Sequence, residues 1–556
     1  MSVEEKEVDV LVVGSGAGGL TAAIVARHYG GDVLVVEKTD MYGGTTATSG
    51  GGVWIPCNHL MATHGESDDD EAAMAYLKAC VGDEVAEERL QAYVREAPRM
   101  IKFLEDNSDV RFVSTPYSDY FPDRPGGKTG YRTLDPVPMS ASDLGDEFLN
   151  MRPPHKQTIF GGFTITMNEA KAVITKAKGW QMIMARLTLA YWLDIPFRMK
   201  TKRHRRLALG NALVGRCLTS AFRKQIPIWR NSPLEDLIVE EGVAKGAIVK
   251  HEGKEIRVRA KKGVILAAGG FESNADMRAK NLPGPTDTDW SAANGNNTGD
   301  TIRAAEKAGV GLSLMDAAWW GPAVRVPGDS RARILFAERA LPGIYIVNKD
   351  GERFLNEAAS YDEVGRMLYD APVPAWVVFD STVRKKHAVG PLLPIGVQPD
   401  ASWSSGLKQI IKKADTLEDL AEQMNVSVSG LLKTAERVKR FSETGVDEDF
   451  GKGGNDYDRY YGDPSVTPNP CMAPLEKGPF YAMPIYPGDI GTKGGVNVDI
   501  NAQALDEEGR PVPGLYATGN NSSAVMGRTY PGAGSTIGPA MTFGYVAARH
   551  AMGVNE

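Results

Sequence analysis

A glycine-rich turn near the start of the chain has the residue types and spacing that hold a phosphate group. The run Gly14-Ser-Gly16-Ala-Gly-Gly19 follows the apolar residues 8–13 and precedes residues 20–27, which are good helix formers. Glycines allow a tight turn and a close approach of the backbone to a pyrophosphate, and the N-terminus of a helix favours negative charge. The turn therefore predicts a dinucleotide site. Its first candidate residues are Gly14, Ser15, Gly16, Ala17, Gly18 and Gly19.

An acidic residue follows the next predicted strand at the position of a ribose-binding acid. Residues 32–36 form this strand, and Glu37 comes 18 residues after Gly19. A carboxylate there can accept hydrogen bonds from a ribose diol. The alternative is a glycine-rich turn before an ordinary helix, but strand, glycines, helix, strand and acid in this order favour the dinucleotide. Glu37 and the adjacent Lys38 join the candidates.

A second glycine-rich run distinguishes a flavin from a nicotinamide cofactor. Residues 43–52 combine small hydroxyl side chains with bare backbone N–H groups, which suits the phosphates and the isoalloxazine edge of FAD. Its candidates are Gly43, Gly44, Thr45, Thr48, Ser49, Gly50 and Gly51. The residues after Ser535 are predicted to be helical through Ala551, so the N-terminus of that helix can face the flavin's pyrimidine carbonyls.

Three short segments contain tyrosines whose phenols can donate a hydrogen bond or take a proton: Tyr117-Ser-Asp-Tyr120, Asn356-Glu-Ala-Ala-Ser-Tyr361 and Tyr530-Pro-Gly-Ala-Gly534. A phenol and a backbone N–H form a donor pair for the oxygen of an enolising ketone. Removal of a proton beside that ketone needs a base, and a phenol, with a reference pKa near 10, needs help at neutral pH. A second phenol nearby could supply that help. Any one tyrosine taken alone is by default a packed aromatic.

These three segments resemble those of the 3-ketosteroid Δ1-dehydrogenases. The N-terminal region resembles the wider flavoprotein superfamily that also contains the fumarate reductases. The resemblance covers essentially the whole chain except about residues 163–209, which are predicted to be an insertion. It implies FAD, held non-covalently because no attachment residue is recognisable. It also implies 1,2-desaturation of 3-keto-4-ene steroids, with sterols such as cholest-4-en-3-one among the expected substrates.

The resemblance also implies a role for each tyrosine. Tyr530 and the N–H of Gly534 would polarise the C3 ketone of the steroid. Tyr361 would take the C2 proton with assistance from Tyr120, and the C1 hydride would go to flavin N5. Three matching segments in the family's order argue against Tyr361 as a merely packed aromatic. Further flavin contacts implied in this way are Ala268, Gly269, Asn297, Asp300, Gly519, Asn520, Ser535 and Ile537.

Other functions remain open at this point. A fumarate-reductase-like enzyme would need cations and histidines gripping a dicarboxylate, and the eight histidines form no such motif. A 3-ketosteroid Δ4-(5α)-dehydrogenase would share the flavin-binding parts, although the ending Tyr530 to Gly534 favours Δ1 chemistry. A membrane-bound flavin-binding scaffold without turnover is the non-enzymatic alternative. The expected electron acceptor is artificial or of quinone type.

The composition is that of a globular protein with two or three domains. The 556 residues carry a formal net charge of −7, which does not favour a nucleic-acid partner. Four scattered cysteines without a C-x-x-C pair predict neither a metal site nor a disulfide framework. The acidic N-terminus predicts no signal peptide, and no uncharged run reaches the roughly eighteen residues of a spanning helix. We therefore expect a cytoplasmic protein.

One segment nevertheless has the pattern of a membrane surface element. Residues 171–230 contain 14 lysines or arginines and one acid, Asp194. Within them, residues 180–197 are strongly apolar with Trp and Tyr, and residues 198–206 are strongly basic. This combination is typical of an element in a membrane interface. A core helix with a solvated basic face, an oligomer contact and a nucleic-acid patch are the alternatives. We favour peripheral association with the inner face of the cell membrane.

The predicted fold class is α/β, a Rossmann-like FAD-binding domain with an inserted α+β substrate domain. Residues 1–286 form the first part of the FAD-binding domain, including the insertion 163–209. Residues 287–487 form the substrate domain, and residues 488–556 complete the FAD-binding domain. Within the substrate domain, the acid-rich residues 447–456 lack the ligand spacing of an EF-hand, so we expect a solvated loop.

Overall fold

The computed structural model describes residues 4–554 of the chain. The helices of this part are α1 (Ala17–His28), α2 (Gly44–Thr48), α3 (Asp70–Val81), α4 (Glu87–Asn107), α5 (Met167–Ile174), α6 (Trp180–Leu193), α7 (Ile195–Lys200), α8 (Leu209–Arg223), α9 (Ala275–Asn281), α10 (Asp300–Lys307), α11 (Tyr361–Met367), α12 (Ser381–Lys386), α13 (Ser405–Ile410), α14 (Leu417–Met424), α15 (Val428–Thr444), α16 (Asp456–Tyr460) and α17 (Ile537–Met552).

The strands are β1 (Glu4–Val13), β2 (Val33–Val36), β3 (Val53–Trp54), β4 (Phe112–Ser114), β5 (Thr133–Pro136), β6 (Met139–Ser140), β7 (Ile159–Phe160), β8 (Phe163–Thr164), β9 (Arg206–Leu207), β10 (Ile228–Trp229), β11 (Leu234–Glu240), β12 (Val243–His251), β13 (Lys254–Leu266), β14 (Leu312–Ser313), β15 (Ala318–Val324), β16 (Arg333–Ile334), β17 (Tyr345–Val347), β18 (Ala375–Phe379), β19 (Lys412–Ala414), β20 (Phe480–Thr492), β21 (Gly495–Val496), β22 (Gln503–Leu505) and β23 (Pro511–Ala517).

The larger of the two main sheets has eight strands and a parallel centre. Its path is β10-β2-β1-β13-β12-β11, and β23, with β22 beside it, pairs with the end of β13. β1 is parallel to β2 and to β13, and β23 is parallel to β13. All four residues of β2 are buried. Parallel strands covered on both faces need apolar side chains at successive positions, which explains the uninterrupted valines and leucines of these strands.

The first and last helices pack against each other beside this sheet. α1 begins at Ala17, directly after the glycine turn, and α17 crosses it. A Cβ atom at Gly544 would lie 2.4 Å from the carbonyl oxygen of Gly18, so the two backbones approach closely only because this position is glycine. The turn that precedes α1 is therefore held by a helix from the far end of the chain.

The second sheet is antiparallel and has six strands. Its path is β16-β15-β20-β18-β17, with β19 beside β20. β20 pairs with β15 on one side and with β18 on the other. This sheet, together with the parallel one, confirms the predicted fold class. Because β20 runs across the predicted boundary between residues 487 and 488, it belongs to both predicted segments, and the domain limits stay a prediction.

Residues 163–209 form a small layer that consists mostly of short helices. It contains β8, α5, α6, α7 and β9, and its own small core consists of Phe163, Ile165, Leu187 and Tyr191. The remaining apolar residues of α6 are largely left at the surface. Across residues 4–554, no helix combines the length and apolar character needed to cross a membrane.

The acid-rich residues 447–456 are largely exposed, as the sequence predicts, but two of their charged side chains are buried. The carboxylate of Asp447 is buried and makes two hydrogen bonds with the guanidinium of Arg353, at 2.8 and 3.0 Å. Lys452 is also buried, and its Nζ donates to the carbonyl of Ile344 at 2.6 Å. The burial of Asp447 was not predicted because the arginine that pairs with it lies 94 residues earlier in the sequence.

Candidate active site

One continuous cavity of about 1440 Å³ connects the glycine turn to the three predicted catalytic tyrosines. Ligand pockets commonly occupy about 300–1,000 Å³, so this cavity has room for a dinucleotide and for a second ligand. Its walls come from the ends of β1 and β2, from residues 44–52, from parts of residues 518–540 and from the layer of residues 163–209.

Most of the predicted cofactor residues line this cavity. They are Gly14, Ser15, Gly16, Ala17, Gly18, Glu37, Lys38, Gly44, Thr45, Thr48, Ser49, Gly50, Gly51, Ala268, Gly269, Asn297, Asp300, Gly519, Asn520 and Ile537. Three others lie outside its walls. Gly19 packs against the backbone of Gly14, Gly43 packs against Val214, and the hydroxyl of Ser535 donates to the carbonyl of Gly532. Direct contact between each lining residue and a flavin stays a prediction.

Glu37 is buried at the end of β2, with its carboxylate fixed by two neighbours. Oε2 accepts a hydrogen bond from the hydroxyl of Ser15 at 2.6 Å, and Oε1 accepts one from the N–H of Thr39 at 3.0 Å. Ser15 lies in the glycine turn, so the acid and the turn are held in one fixed arrangement. The oriented carboxylate fits the hydroxyls of a ribose, and the glycine turn before α1 fits the phosphates of the same dinucleotide.

Lys38 and Asp300 pair with each other. The Nζ of Lys38 lies 2.6 Å from Oδ2 of Asp300 and 2.6 Å from the hydroxyl of Thr298. The pair connects the residue after Glu37 to the first residue of α10. Both side chains border the cavity, and Asp300 also pairs with Arg303 at 2.9 Å. The predicted contact of Lys38 and Asp300 with the cofactor stays a prediction.

The cavity also has lining residues that the sequence analysis missed, and Asn294 is one of them. Its side-chain amide donates to the hydroxyl of Thr45 at 2.8 Å, and that of the predicted Asn297 donates to the same hydroxyl at 3.1 Å. Within the described chain, Nε of Arg152 is buried without a hydrogen-bond partner. An orphan buried donor is costly unless a ligand pairs with it, so Arg152 fits an anionic cofactor group. Thr46, a further lining residue, accepts a hydrogen bond from the N–H of Ala17.

The structure brings together Tyr120, Tyr361 and Tyr530, which are far apart in the sequence. Their ring centroids are 5.8 Å apart for Tyr120 and Tyr361, and 5.3 Å apart for each of the other two pairs. All three rings are buried yet border the cavity. The three phenols therefore form one cluster that faces a single ligand.

Local structure fixes two of these side chains. Tyr361 is the first residue of α11, whose N-terminus is capped by Ser360, because its hydroxyl accepts a hydrogen bond from the N–H of Glu363 at 3.3 Å. The N–H of Tyr120 donates to the carbonyl of Pro531 at 2.9 Å. The loop that carries Tyr120 is thereby bound to the loop that carries Tyr530.

Gly534 lies next to the hydroxyl of Tyr530. Its φ is +100°, and a Cβ atom there would lie 2.5 Å from the backbone of Gly52, so the position requires glycine. Burial raises the pKa of Tyr530, while hydrogen bonds with Thr536, with Tyr361 and with the N–H of Gly534 oppose that rise. The phenol and the amide thus lie within reach of one acceptor atom, as polarisation of a ketone oxygen requires.

Burial sets the protonation of the other two tyrosines. It raises the pKa of both Tyr361 and Tyr120 well above the ordinary value, near 10, of a phenol. The neighbouring Tyr530 raises the pKa of Tyr361 further, whereas a hydrogen bond with Tyr120 lowers it. Tyr361 is therefore neutral at pH 7 and needs a partner for its proton when it acts as a base.

A buried cation next to the tyrosine cluster was missed in the sequence analysis. The guanidinium of Arg339 donates to the carbonyls of Leu335 at 2.8 Å and Ala359 at 3.0 Å. Arg339 lowers the pKa of Tyr117 and of Tyr457, which pack around Tyr120, although burial keeps both values raised. Its positive charge would stabilise a phenolate in this cluster. No sequence motif marks it.

The parallel sheet, the glycine turn and the oriented acid define a flavoprotein of the FAD-binding α/β class. A family model described as an FAD binding domain matches residues 9–537. The 3-oxosteroid 1-dehydrogenase of Mycobacterium tuberculosis (strain ATCC 25618 / H37Rv) is 41% identical over an alignment of 566 positions, which covers 98% of each chain. The chain therefore belongs to the family of FAD-dependent 3-oxosteroid 1-dehydrogenases, and FAD is its cofactor.

A solved structure gives the same assignment. The 3-ketosteroid Δ1-dehydrogenase of Sterolibacterium denitrificans, in complex with 1,4-androstadiene-3,17-dione, is 45% identical, with a TM-score of 0.96 over 99% of this chain and 100% of that chain. The uncovered 1% is too short to contain residues 163–209. The prediction that these residues are an insertion is therefore wrong with respect to this enzyme.

The family also contains a relative that acts on a smaller ketone. The 4-oxocyclohexanecarboxylate 2-dehydrogenase of Sinomonas cyclohexanicum is 35% identical over 562 residues, which cover 97% of this chain and 92% of the relative. Ketone chemistry is thus common to these relatives, while the size of the substrate differs among them.

Proposed function

We propose that this enzyme introduces a 1,2 double bond into 3-keto-4-ene steroids and sterols as a step in sterol degradation. The observation that carries the proposal is the meeting of Tyr120, Tyr361, Tyr530 and the N–H of Gly534 in one cavity with the FAD-binding turn. A donor pair for a ketone oxygen and a phenol for the adjacent proton are what such a reaction needs from the protein.

The proposed division of labour follows from the positions of these groups. The hydroxyl of Tyr530 and the N–H of Gly534 hold the C3 oxygen and stabilise the enolate that develops there. Tyr361 takes the C2 proton, and Tyr120, which is hydrogen-bonded to Tyr361, shares the charge. The buried guanidinium of Arg339, which lowers the pKa of the neighbouring Tyr117 and Tyr457, stabilises that negative charge. Bound FAD supplies the acceptor for the hydride from C1.

The substrate class is proposed from the remaining walls of the cavity. Beyond the tyrosines they are largely apolar, with Ile165, Met184 and Trp192 on the side of the layer and Leu393 and Val397 opposite. A wall of this kind favours a long hydrocarbon over a small carboxylic acid, because burial of apolar surface contributes about 25 cal/mol per Å². We therefore expect a sterol to be a better substrate than a cyclohexanone carboxylate.

A substrate panel tests the proposed function. Under anaerobic conditions, cholest-4-en-3-one and androst-4-ene-3,17-dione should each bleach the flavin absorbance, and a Δ1 product should accumulate when an electron acceptor is added. 4-Oxocyclohexanecarboxylate is the comparison substrate, and we expect at least about tenfold lower kcat/KM, or 1.4 kcal/mol, for it. Bleaching by the cyclohexane acid but by neither steroid would overturn the proposal.

We expect the flavin to be released intact by acid or by heat. The cavity offers FAD hydrogen-bonding groups such as Glu37 and Arg152, and the resemblance implies no covalent attachment. The measurement is flavin absorbance in the supernatant after precipitation of the yellow protein. Flavin that stays with the precipitate would contradict non-covalent binding.

The proposed electron acceptor is a quinone or an artificial acceptor. Reduced FAD must be reoxidised after each turnover, and an apolar cavity mouth suits a lipid-soluble quinone better than a charged dinucleotide. Turnover with menadione but not with NAD⁺ would support this proposal, and turnover with NAD⁺ alone would contradict it.

We further propose that the layer of residues 163–209 binds the cytoplasmic face of a membrane. Met182, Leu193 and Met199 are 76, 71 and 84 % exposed, and Trp192 is both exposed and part of the cavity wall. An exposed apolar set of this kind marks an interaction surface. A membrane-bound mouth would receive an insoluble sterol without passage through water.

The basic residues of this layer contribute less to membrane binding than their number predicts. Arg203 donates to the carbonyl of Met151 at 2.7 Å, Arg205 pairs with Asp194 at 2.7 Å, and Arg206 pairs with Glu169 at 3.1 Å. These arginines hold the layer together. Lys200 and Lys202 are exposed and remain the proposed contacts for anionic headgroups.

Replacing Leu193 and Met199 with glutamate should weaken binding to anionic liposomes at low salt more than tenfold. Burial of each side chain is worth about 1.5–3 kcal/mol, and 1.4 kcal/mol corresponds to a factor of ten. The matched control is Val446→Glu with Ile500→Glu, two exposed apolar residues outside the layer. Co-sedimentation measures binding, and cholest-4-en-3-one turnover should fall more than androst-4-ene-3,17-dione turnover. A wild-type protein that does not bind the liposomes would rule the proposal out.

A further inference from the structure

A fully buried ammonium group joins the two tyrosine segments of the active site. Nζ of Lys493 donates to the carbonyls of Arg528 and Thr529, each at 2.9 Å, and to Oδ2 of Asp362 at 3.3 Å. The side chain of Lys493 is 0 % exposed. An ammonium has three N–H donors, so these three acceptors satisfy it completely.

The partners of Lys493 are the immediate neighbours of the catalytic tyrosines. Asp362 follows Tyr361 in the first turn of α11, and Thr529 precedes Tyr530 in the chain. One side chain therefore connects the segment that carries the proposed base to the segment that carries the ketone donor. The two segments themselves come from parts of the chain that are more than a hundred residues apart.

Further contacts fix Lys493 and its partners to the second sheet. The N–H of Lys493 donates to the carbonyl of Ala317 at 2.9 Å, and the N–H of Trp320 donates to Oδ1 of Asp362 at 3.0 Å. Nζ of Lys493 also lies 4.5 Å from the ring centroid of Trp319, whose ring contacts Tyr530 edge to face with a centroid distance of 5.0 Å. The side chains of Lys493, Asp362, Trp319 and Trp320 are all buried, so this part of the junction is closely packed.

We propose that Lys493 is a positioning residue that fixes the separation between the phenols of Tyr361 and Tyr530. This inference rests on the proposed function, since it assigns those phenols to the C2 proton and the C3 oxygen of one substrate. The C2 hydrogen and the C3 oxygen are joined through C2 and C3, on neighbouring carbons of the same ring, so both phenols must meet the substrate at once. A misplacement of about 1 Å can cost about 10²-fold in rate.

The test measures substrate binding and flavin reduction separately, by anaerobic stopped-flow mixing with androst-4-ene-3,17-dione. In Lys493→Met, the limiting rate of flavin reduction should fall about 10²-fold, whereas the Kd of the steroid should change less than about threefold. A purely structural role would lower FAD content and thermal stability but would leave the reduction rate of the folded, FAD-loaded fraction unchanged.

A second variant keeps the test informative if the first variant misfolds. Lys493→Met leaves the carboxylate of Asp362 buried without its cation, which is destabilising. The double variant Lys493→Met with Asp362→Asn removes this charge, so it should regain FAD content and stability but not the reduction rate. The matched control is Arg278→Met, which breaks the buried pair with Asp489 away from the tyrosine segments and should keep the reduction rate within about threefold of wild type.

The outcomes separate this inference from the proposed function. A wild-type enzyme whose flavin no steroid reduces would overturn the proposed function itself. If wild type is reduced and the double variant is reduced at a similar rate, the positioning role of Lys493 is overturned. A slow double variant with normal FAD content, normal steroid binding and an unaffected Arg278→Met control supports it.

Discussion

Replacing Tyr361 with phenylalanine should lower the rate of flavin reduction by about 10²–10⁴-fold, the range that loss of a general base produces. The phenylalanine ring fills the same space beside Tyr120, Tyr530 and Phe336, so the cluster and the bound FAD should remain. Only the oxygen that takes the C2 proton is lost. Stopped-flow reduction by androst-4-ene-3,17-dione is the measurement, with the visible flavin spectrum as a check of folding.

Tyr120→Phe provides the graded comparison. Its hydroxyl shares the charge of Tyr361 but does not take the proton, so the loss should be smaller, on the order of tenfold, as for one hydrogen bond to a charged group. Tyr460→Phe, in the same aromatic region but outside the cavity wall, should be close to wild type. Near-normal reduction in Tyr361→Phe would show that another group takes the proton.

The pH dependence follows from the same assignment. Burial raises the pKa of Tyr361 above its ordinary value, so the base form becomes more populated as the pH rises. The rate of flavin reduction in wild type should therefore increase with pH from neutral into the alkaline range. Tyr361→Phe should lose that increase, and a variant that retains it would place the titrating group elsewhere.

Replacing Tyr530 with phenylalanine should be the second large effect, a loss of about 10²–10³-fold in kcat/KM, as found when one donor to a developing oxyanion is removed. The N–H of Gly534 would remain as the single donor to the C3 oxygen. The variant should retain FAD, because the ring still packs against Trp319 and Tyr120. Steady-state kinetics with androst-4-ene-3,17-dione measure the loss.

A simple comparison distinguishes lost polarisation from a displaced substrate. The saturated-ring analogue that lacks the C3 ketone should bind wild type and Tyr530→Phe equally, because it has no oxygen for the phenol to hold. A Tyr530→Phe enzyme that keeps full activity would mean that Gly534 alone, or another donor, carries the polarisation.

The flavin site was largely predictable from sequence because its parts are local. A strand, a glycine turn and a helix are contiguous, and Glu37 follows the next strand, so short-range rules placed them. The helix predicted after Ser535 through Ala551 was likewise close to the limits of α17 in the structure.

The tyrosine cluster was predicted only through the resemblance. Tyr120, Tyr361 and Tyr530 meet by tertiary contacts, and no periodicity or spacing indicates that they do. Lys493 was missed because its side-chain partners lie in distant segments. Arg339 was missed because its partners are backbone carbonyls, which no residue pattern reveals. The acid-rich loop is largely exposed as predicted, but the pattern did not reveal the burial of Asp447, because its arginine partner is distant in sequence.

The close packing of α1 against α17 has a consequence for how the enzyme is made. The turn that would bind the cofactor's phosphates is synthesised long before the residues that complete the same cavity, from Gly519 to Ile537. A nascent chain, or one cut short before α17, therefore lacks a complete pocket for the coenzyme. We therefore expect the vitamin-derived coenzyme to bind only after residues 519–537 have been synthesised, and not to the N-terminal part of the nascent chain.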